Sequence, residues 1–170
     1  MDEIFEIVDA ENNVIGTAPR SQCHGNPDLC HRTAHVIVLN QNGDILLQKR
    51  SPDKDIQPGK WDTAVGGHLM VGETFEQAAV REMNEELGIP SKQPITFLFN
   101  MKIRNEIESE NVAVFSTVYS GPFKIQKSEI DKIKFWPVIE LIDNMIQKTF
   151  TPNCILEIKK FSKLVIEERG

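Results

Sequence analysis

Three glutamates, Glu82, Glu85 and Glu86, have the types and spacing to do chemistry in this 170-residue chain. They stand at i, i+3 and i+4, so one helical face displays all three. Like charges at that spacing repel, and a cation offsets the repulsion. Their hard oxygen ligands suit Mg²⁺ or Mn²⁺, which share coordination with water and phosphate oxygens. Upstream, Gly67 is followed after five residues by Glu73, and after seven more by Arg81. Gly66, Gly67 and Gly72 let a loop approach the helix closely. The pattern suits a divalent metal holding a diphosphate. The competing reading is a solvated acidic face, which is how most glutamate runs behave.

A second group lies outside this stretch. The chain has four histidines, His24, His31, His35 and His68. His24 and His31 are seven residues apart, and His68 follows Gly67. Glu108 and Glu110 alternate on the approach to an apolar strand and share a face. Three histidines and two carboxylates make an octahedral metal set. For each histidine alone, an unrelated core or surface role is the simpler reading, and for His35 it is preferred. Cys23, His24, Cys30 and His31 could instead form a zinc knuckle, but the close cysteine pair is missing. Trp61 is read as core rather than as a stacking platform.

These residues need elements to position them. Thr74 and Gln77 fit a capping box that starts a helix just after Glu73. Phe75, Ala78, Ala79, Met83 and Leu87 form its apolar stripe, and Gly88 fits the position past its end. Residues 3–9 and 14–17 read as an N-terminal β-hairpin around Glu11-Asn12-Asn13. Residues 18–32 read as a loop. Residues 34–39 and 45–49 read as strands about a turn at Asn40 to Gly43. A loop at 51–60 leads to Trp61 and a short strand at 62–65. Residues 94–104 and 110–119 read as strands, and Pro122 breaks the pattern. Residues 127–135 are polar and mixed. Helices are expected near 138–147 and 154–168, the latter with Ile155, Ile158, Phe161, Leu164 and Val165 on one side.

Composition bounds the rest. The length suits one domain over 1–170 with a sizeable core. The 19 basic and 25 acidic residues give a net charge of −6. That disfavours binding to nucleic acid polymers or to an anionic membrane surface. No apolar run reaches transmembrane length, and the acidic N-terminus is neither a signal nor a transit peptide. Three cysteines suit reduced thiols in the cytoplasm. Oligomeric state is not legible.

Residues 67–89, GHLMVGETFEQAAVREMNEELGI, resemble the Nudix box in full. The resemblance implies an α/β (α+β) fold, an α/β/α sandwich with a mixed sheet. It implies Glu82, Glu85 and Glu86 as metal ligands, with Mg²⁺ or Mn²⁺ as cofactor. Arg81 would pair with Glu73 and hold the helix against the loop. Glu85 and a glutamate outside the box are both open as general base. The second group is similar to type I isopentenyl diphosphate isomerase. There, three His and two Glu bind a metal at positions matching His24, His31, His68, Glu108 and Glu110. Arg20, Arg50 and Lys54 match basic residues that grip its diphosphate. Two departures stand out. The isomerase places an acid/base cysteine where this chain has Gly66, and its Nudix box is degraded where this one is intact. Hydrolysis of an organic diphosphate, such as a nucleoside diphosphate, is therefore the leading expectation. An isomerase-like activity and a non-catalytic nucleotide-binding regulatory module are the alternatives. Specificity is expected in loops 18–32, 51–60 and 100–110.

Overall fold

The computed structural model describes residues 1–169; Gly170, the end of the expected domain, lies outside the described residues. Strands β1 (Ile4–Val8) and β2 (Val14–Pro19) pair antiparallel as the expected N-terminal hairpin. Asp9 closes its turn by accepting from the backbone of Glu11 and Asn13. A one-turn helix α1 (Arg20–Cys23) follows inside the segment expected to be loop. The remaining strands are β3 (His31–Leu39), β4 (Ile45–Arg50), β5 (Trp61–Thr63), β6 (Val65–His68), β7 (Thr96–Arg104), β8 (Ser109–Val118) and β9 (Ile130–Trp136). They form a seven-stranded sheet in the order β5-β4-β3-β8-β7, with β6 added to β3 and β9 to β4. The β3–β8 pairing is parallel and the others are antiparallel, so the sheet is mixed.

Alternation along the strands builds two cores. Ala34, Val36, Val38, Leu46, Ala113 and Phe115 face helix α2 (Phe75–Leu87) and pack on Ala78, Ala79, Met83 and Leu87. Ile37, Ile45, Leu47, Val112 and Val114 face the other way. They pack with Leu141 of α3 (Val138–Asn144) and with Ile158 and Phe161 of α4 (Pro152–Arg169). The result is the expected α/β/α sandwich, with a mixed sheet between helices.

The structure corrects the sequence reading at four further places. The region 127–135 contains β9, whose charged residues hid it. The Lys132 and Lys134 ammonium groups lie over the rings of Trp61 and Trp136, so cation–π contacts hold these charged side chains on the strand. The short strand at 62–65 is two strands, broken at Ala64. Strand β3 begins at His31, three residues earlier than expected, which places His31 in the sheet rather than in a loop. Most of the expected specificity loop 100–110 is strand, leaving a turn at 105–108. Trp61 is buried and meets Trp136 edge to face at 5.3 Å. No helix among the described residues is long and apolar enough to cross a membrane.

Candidate active site

Local sequence sets the helix that carries the glutamates. The Thr74 side chain accepts from the Gln77 backbone N–H, and the Gln77 side chain accepts from that of Thr74. Gly88 ends the helix at φ 67°, a conformation glycine adopts without a Cβ penalty. Arg81 then ties helix to loop. Its Nε and one terminal nitrogen donate to the two Glu73 carboxylate oxygens at 2.8 and 2.9 Å, and that terminal nitrogen also donates to the His68 carbonyl at 3.0 Å. Its other terminal nitrogen donates to Glu82 at 2.5 Å and to Glu85 at 3.2 Å. This fork holds Glu73 well ionised, with its carboxyl below the usual range.

The three glutamates differ in burial. Glu86 is buried, Glu82 is half-buried and Glu85 is exposed. Burial pushes the Glu86 carboxyl well above the usual carboxylate range; the nearby Glu82 charge adds to this, and a hydrogen bond donated by Gln48 opposes it. Burial also raises Glu82, against the pull of Arg81. Strand β6 makes room for this crowding at Gly67. A Cβ there would stand 2.1 Å from the Glu82 carboxyl carbon.

The imidazoles of His24, His31 and His68 converge, with one ligand atom of each within 4.8 Å of the others. Glu110 Oε1 lies 3.4 Å from Nε2 of both His31 and His68. Phe5 of the N-terminal hairpin stacks on His31 and His68, at 5.0 and 4.3 Å between ring centroids. His31 Nδ1 lies 3.2 Å from the Leu29 carbonyl. A hydrogen donated there leaves the Nε2 lone pair facing the cluster. Nε2 of both His24 and His31 is sealed from solvent without a hydrogen-bond partner. Buried polar nitrogens rarely stay unpaired, and a metal ion suits such a donor set. Glu108 is set apart; its Oε2 accepts from Asn153 at 2.9 Å. Neither Cys23 nor Cys30 joins the imidazoles; Cys23 packs in the apolar cluster under the hairpin.

Glu82, Glu85 and Glu86 line one cavity of about 380 Å³ with His24, His68 and Glu110, together with Glu108, Arg20, Arg50 and Lys54; His31 is buried beneath that wall. Arg50 donates to Asp62 at 3.0 Å, and Lys54 pairs with Glu129. Arg20 stands looser, 3.8 Å from Glu3. Sequence reasoning missed Gln48, Asp62, Glu129 and Asn153, which the fold brings to this wall. Gln48 carried a signal, as a polar residue in the run Ile45-Leu46-Leu47-Gln48. Glu129 carried none. His35, read as a core or hydrogen-bonded residue, is buried and hydrogen-bonded to Glu157.

An α/β/α sandwich that presents an arginine-clamped glutamate helix to a polar cavity defines a class of metal-assisted phosphate chemistry. The chain belongs to the NUDIX domain family, whose model matches residues 30–154. It is similar to an uncharacterized Nudix hydrolase of Yersinia pestis, 38% identical over 155 residues that cover 90% of this chain and 82% of that protein. An isopentenyl-diphosphate Delta-isomerase 2 of Photorhabdus laumondii is 33% identical over 144 residues, covering 83% of this chain and 81% of that one. Among solved structures, that of DR0079 from Deinococcus radiodurans superposes with a TM-score of 0.76 at 19% identity, covering 93% of this chain and 98% of that one. The protein is a Nudix-type hydrolase, of a family that acts on phosphate anhydrides and generally requires a divalent metal.

Proposed function

We propose that the chain, acting as one unit over residues 1–170 in the cytoplasm, hydrolyses the diphosphate bond of a small organic diphosphate, such as a nucleoside diphosphate, with Mg²⁺ or Mn²⁺. The observation that carries this reading is the charge imbalance on α2. Of the three carboxylates, Glu82 and Glu85 share the one Arg81 that Glu73 already engages, and the most buried, Glu86, receives its side-chain hydrogen bond from neutral Gln48. A divalent cation fits that imbalance, and Glu82, Glu85 and Glu86 would hold it. Such a cation, when bound, offsets the charge on the phosphoryl oxygens and makes water acidic enough to attack near neutral pH. The chain's own groups do the rest. Glu85, the exposed carboxylate of the three, accepts the proton of the attacking water. Arg81 fixes the helix to the loop, so the glutamates keep their spacing. Arg20, Arg50 and Lys54 face the distal phosphate. His24, His31, His68 and Glu110 would hold a second ion, with Glu108 reaching it by a change of side-chain conformation.

The test is product analysis by mass spectrometry on nucleoside di- and triphosphates, dinucleotides, nucleotide sugars and prenyl diphosphates. Wild type is compared with Glu85→Gln and Glu86→Gln. Metal-dependent release of phosphate or a monophosphate, lost in both variants, is expected. Hydrolysis unaffected by both substitutions would sink the assignment. The isomerase relative favours a second reading, isomerisation of isopentenyl diphosphate. Gly66 weighs against it, since glycine has no side chain to exchange a proton. Conversion to dimethylallyl diphosphate without hydrolysis would establish that reading instead.

A further inference from the structure

One more histidine, His35, lines the same cavity from outside both carboxylate and imidazole groups, with a buried glutamate behind it. His35 Nδ1 on β3 lies 2.6 Å from Glu157 Oε2 on α4, so the pair spans sheet and helix. Glu157 is fully buried, and its Oε1 has no hydrogen-bond partner. A carboxylate placed there requires a positive neighbour. The charged groups around His35 are Glu157 from α4, Asp62 from β5 and Glu110 from β8. From β6 only Gly66 approaches, and it brings no charge. A Cβ on Gly66 would stand 3.2 Å from both Cδ2 and Nε2 of His35. The ring edge that Glu157 does not use therefore fills the space of a side chain at position 66, at the wall of the cavity.

We propose that His35, kept as an imidazolium by Glu157, donates a hydrogen bond from Nε2 to a phosphoryl oxygen of the bound substrate. The proposal rests on reading this cavity as a phosphate-anhydride site. With Nδ1–H committed to Glu157, the cation has one donor left, and it lies against Gly66. The cavity needs such a donor. Its wall is rich in carboxylates; Arg50 and Lys54 are shared with Asp62 and Glu129 and Arg20 stands 3.8 Å from Glu3, so a donor beside them adds to their hold on an anionic oxygen. A charge-assisted donor out of bulk water binds an anionic oxygen more strongly than an exposed one. Burial alone would lower the imidazole pKa, but the charge and hydrogen bond of Glu157 outweigh it and raise His35 to about 9. The donor is thus charged at neutral pH. Glu157 is a positioning residue in this account.

The test is imidazole ¹H–¹⁵N NMR of the full chain with methylenediphosphonate, a non-hydrolysable diphosphate, in the presence of Mg²⁺. The Nε2–H resonance of His35 should move when the probe is added and stay in place with Mg²⁺ alone. His35→Gln alone leaves Glu157 unpaired and threatens folding. The neutral double variant His35→Gln/Glu157→Gln avoids this, and it should melt cooperatively and bind the probe at least about tenfold more weakly. Measured against wild type at the same pH, Glu157→Gln should bind the probe more weakly, and the deficit should shrink as pH is lowered and the imidazole regains its proton. Failure of the probe to bind, or binding that moves the Gly67 and Glu82 signals while His35 stays fixed, would overturn the proposal. So would unchanged affinity in the double variant. If His35 responds as expected but wild type hydrolyses nothing in the substrate panel, the donor assignment stands and the hydrolase assignment falls.

Discussion

Gly67 shows how one missing side chain can carry a function. Its bare Cα lets Glu82 lie against β6, where a Cβ would come within 2.1 Å of the carboxyl carbon. The atom displaced is the end of a flexible side chain, so the fold can absorb the change while Glu82 cannot keep its place. Gly67→Ala is expected to cost about 1 kcal/mol of stability and to lower kcat/KM about 100-fold. Thermal melting and steady-state kinetics on the panel substrate read the two effects separately. Equal activity would mean that the Glu82 position is not needed. The clustering of Glu73, Arg81, Glu82, Glu85 and Glu86 was legible in advance, because one helix and one loop hold them and their spacing is local. It was less legible for Glu108, which alternates with Glu110 in sequence yet precedes β8 and bonds Asn153 instead.

The elements behave as coupled parts. Helix α2 ends where Gly88 takes φ 67° and where a Cβ would stand 2.8 Å from the Lys124 Cβ and 3.2 Å from its backbone nitrogen. Gly88→Ala combines a left-handed penalty with a clash, so urea denaturation should show a loss of about 2 kcal/mol or more. The His35–Glu157 pair joins β3 to α4, and its pH dependence has a definite sign. His35 rises from an unfolded value of 6.5 to about 9 in the fold, so its contribution is complete below pH 6.5 and is lost as pH climbs towards 9. Burial raises Glu157 against the pull of His35; its effect has the same sign but belongs to the window that starts from the ordinary carboxylate range, so the change above pH 6.5 is assigned to His35. Urea-unfolding free energy should therefore fall by up to about 3 kcal/mol between pH 6.5 and 9, and His35→Gln/Glu157→Gln should flatten that slope. A slope unchanged in the double variant would remove the pair as its cause. Periodicity recovered most elements but not β9, where Asp131, Lys132 and Lys134 mask the strand pattern. What makes β9 a strand is its ladder with β4, running from Ile45↔Trp136 to Arg50↔Ile130, and that partner is remote in sequence.

At the scale of the whole molecule, the proposed site sets function against stability. Glu86 is buried among other carboxylates and held well above its ordinary pKa, so the metal-free fold disfavours the ionised form of this side chain. Glu86→Gln should leave the metal-free protein as stable as wild type or more so. Mg²⁺ should raise the wild-type melting temperature, by about 2.7 kcal/mol of stabilisation at a hundredfold excess over Kd. That amounts to roughly 5–11 °C for a chain of this size. The increment should shrink sharply in Glu86→Gln, and calorimetry with and without EDTA checks both halves. A variant that kept the full Mg²⁺ increment would place the cation elsewhere.

The sequence by itself determined whatever depends on short-range order. This includes the capped helix, the glutamates on one face, the glycine that stops it and the two-sided alternation that makes a sandwich. Local spacing fixes those features, because helix and strand periods act over a few residues. The tertiary structure alone decided which distant residues share a wall. It set His35 against Gly66 and Glu157, Gln48 beneath Glu86, Glu129 beside Lys54, and Glu110 between His31 and His68. Those meetings follow from strand order and register, above all the parallel β3–β8 pairing that puts His31 opposite Glu110. Register is chosen by burying the apolar faces of the whole sheet at once, and no local stretch of sequence contains that information.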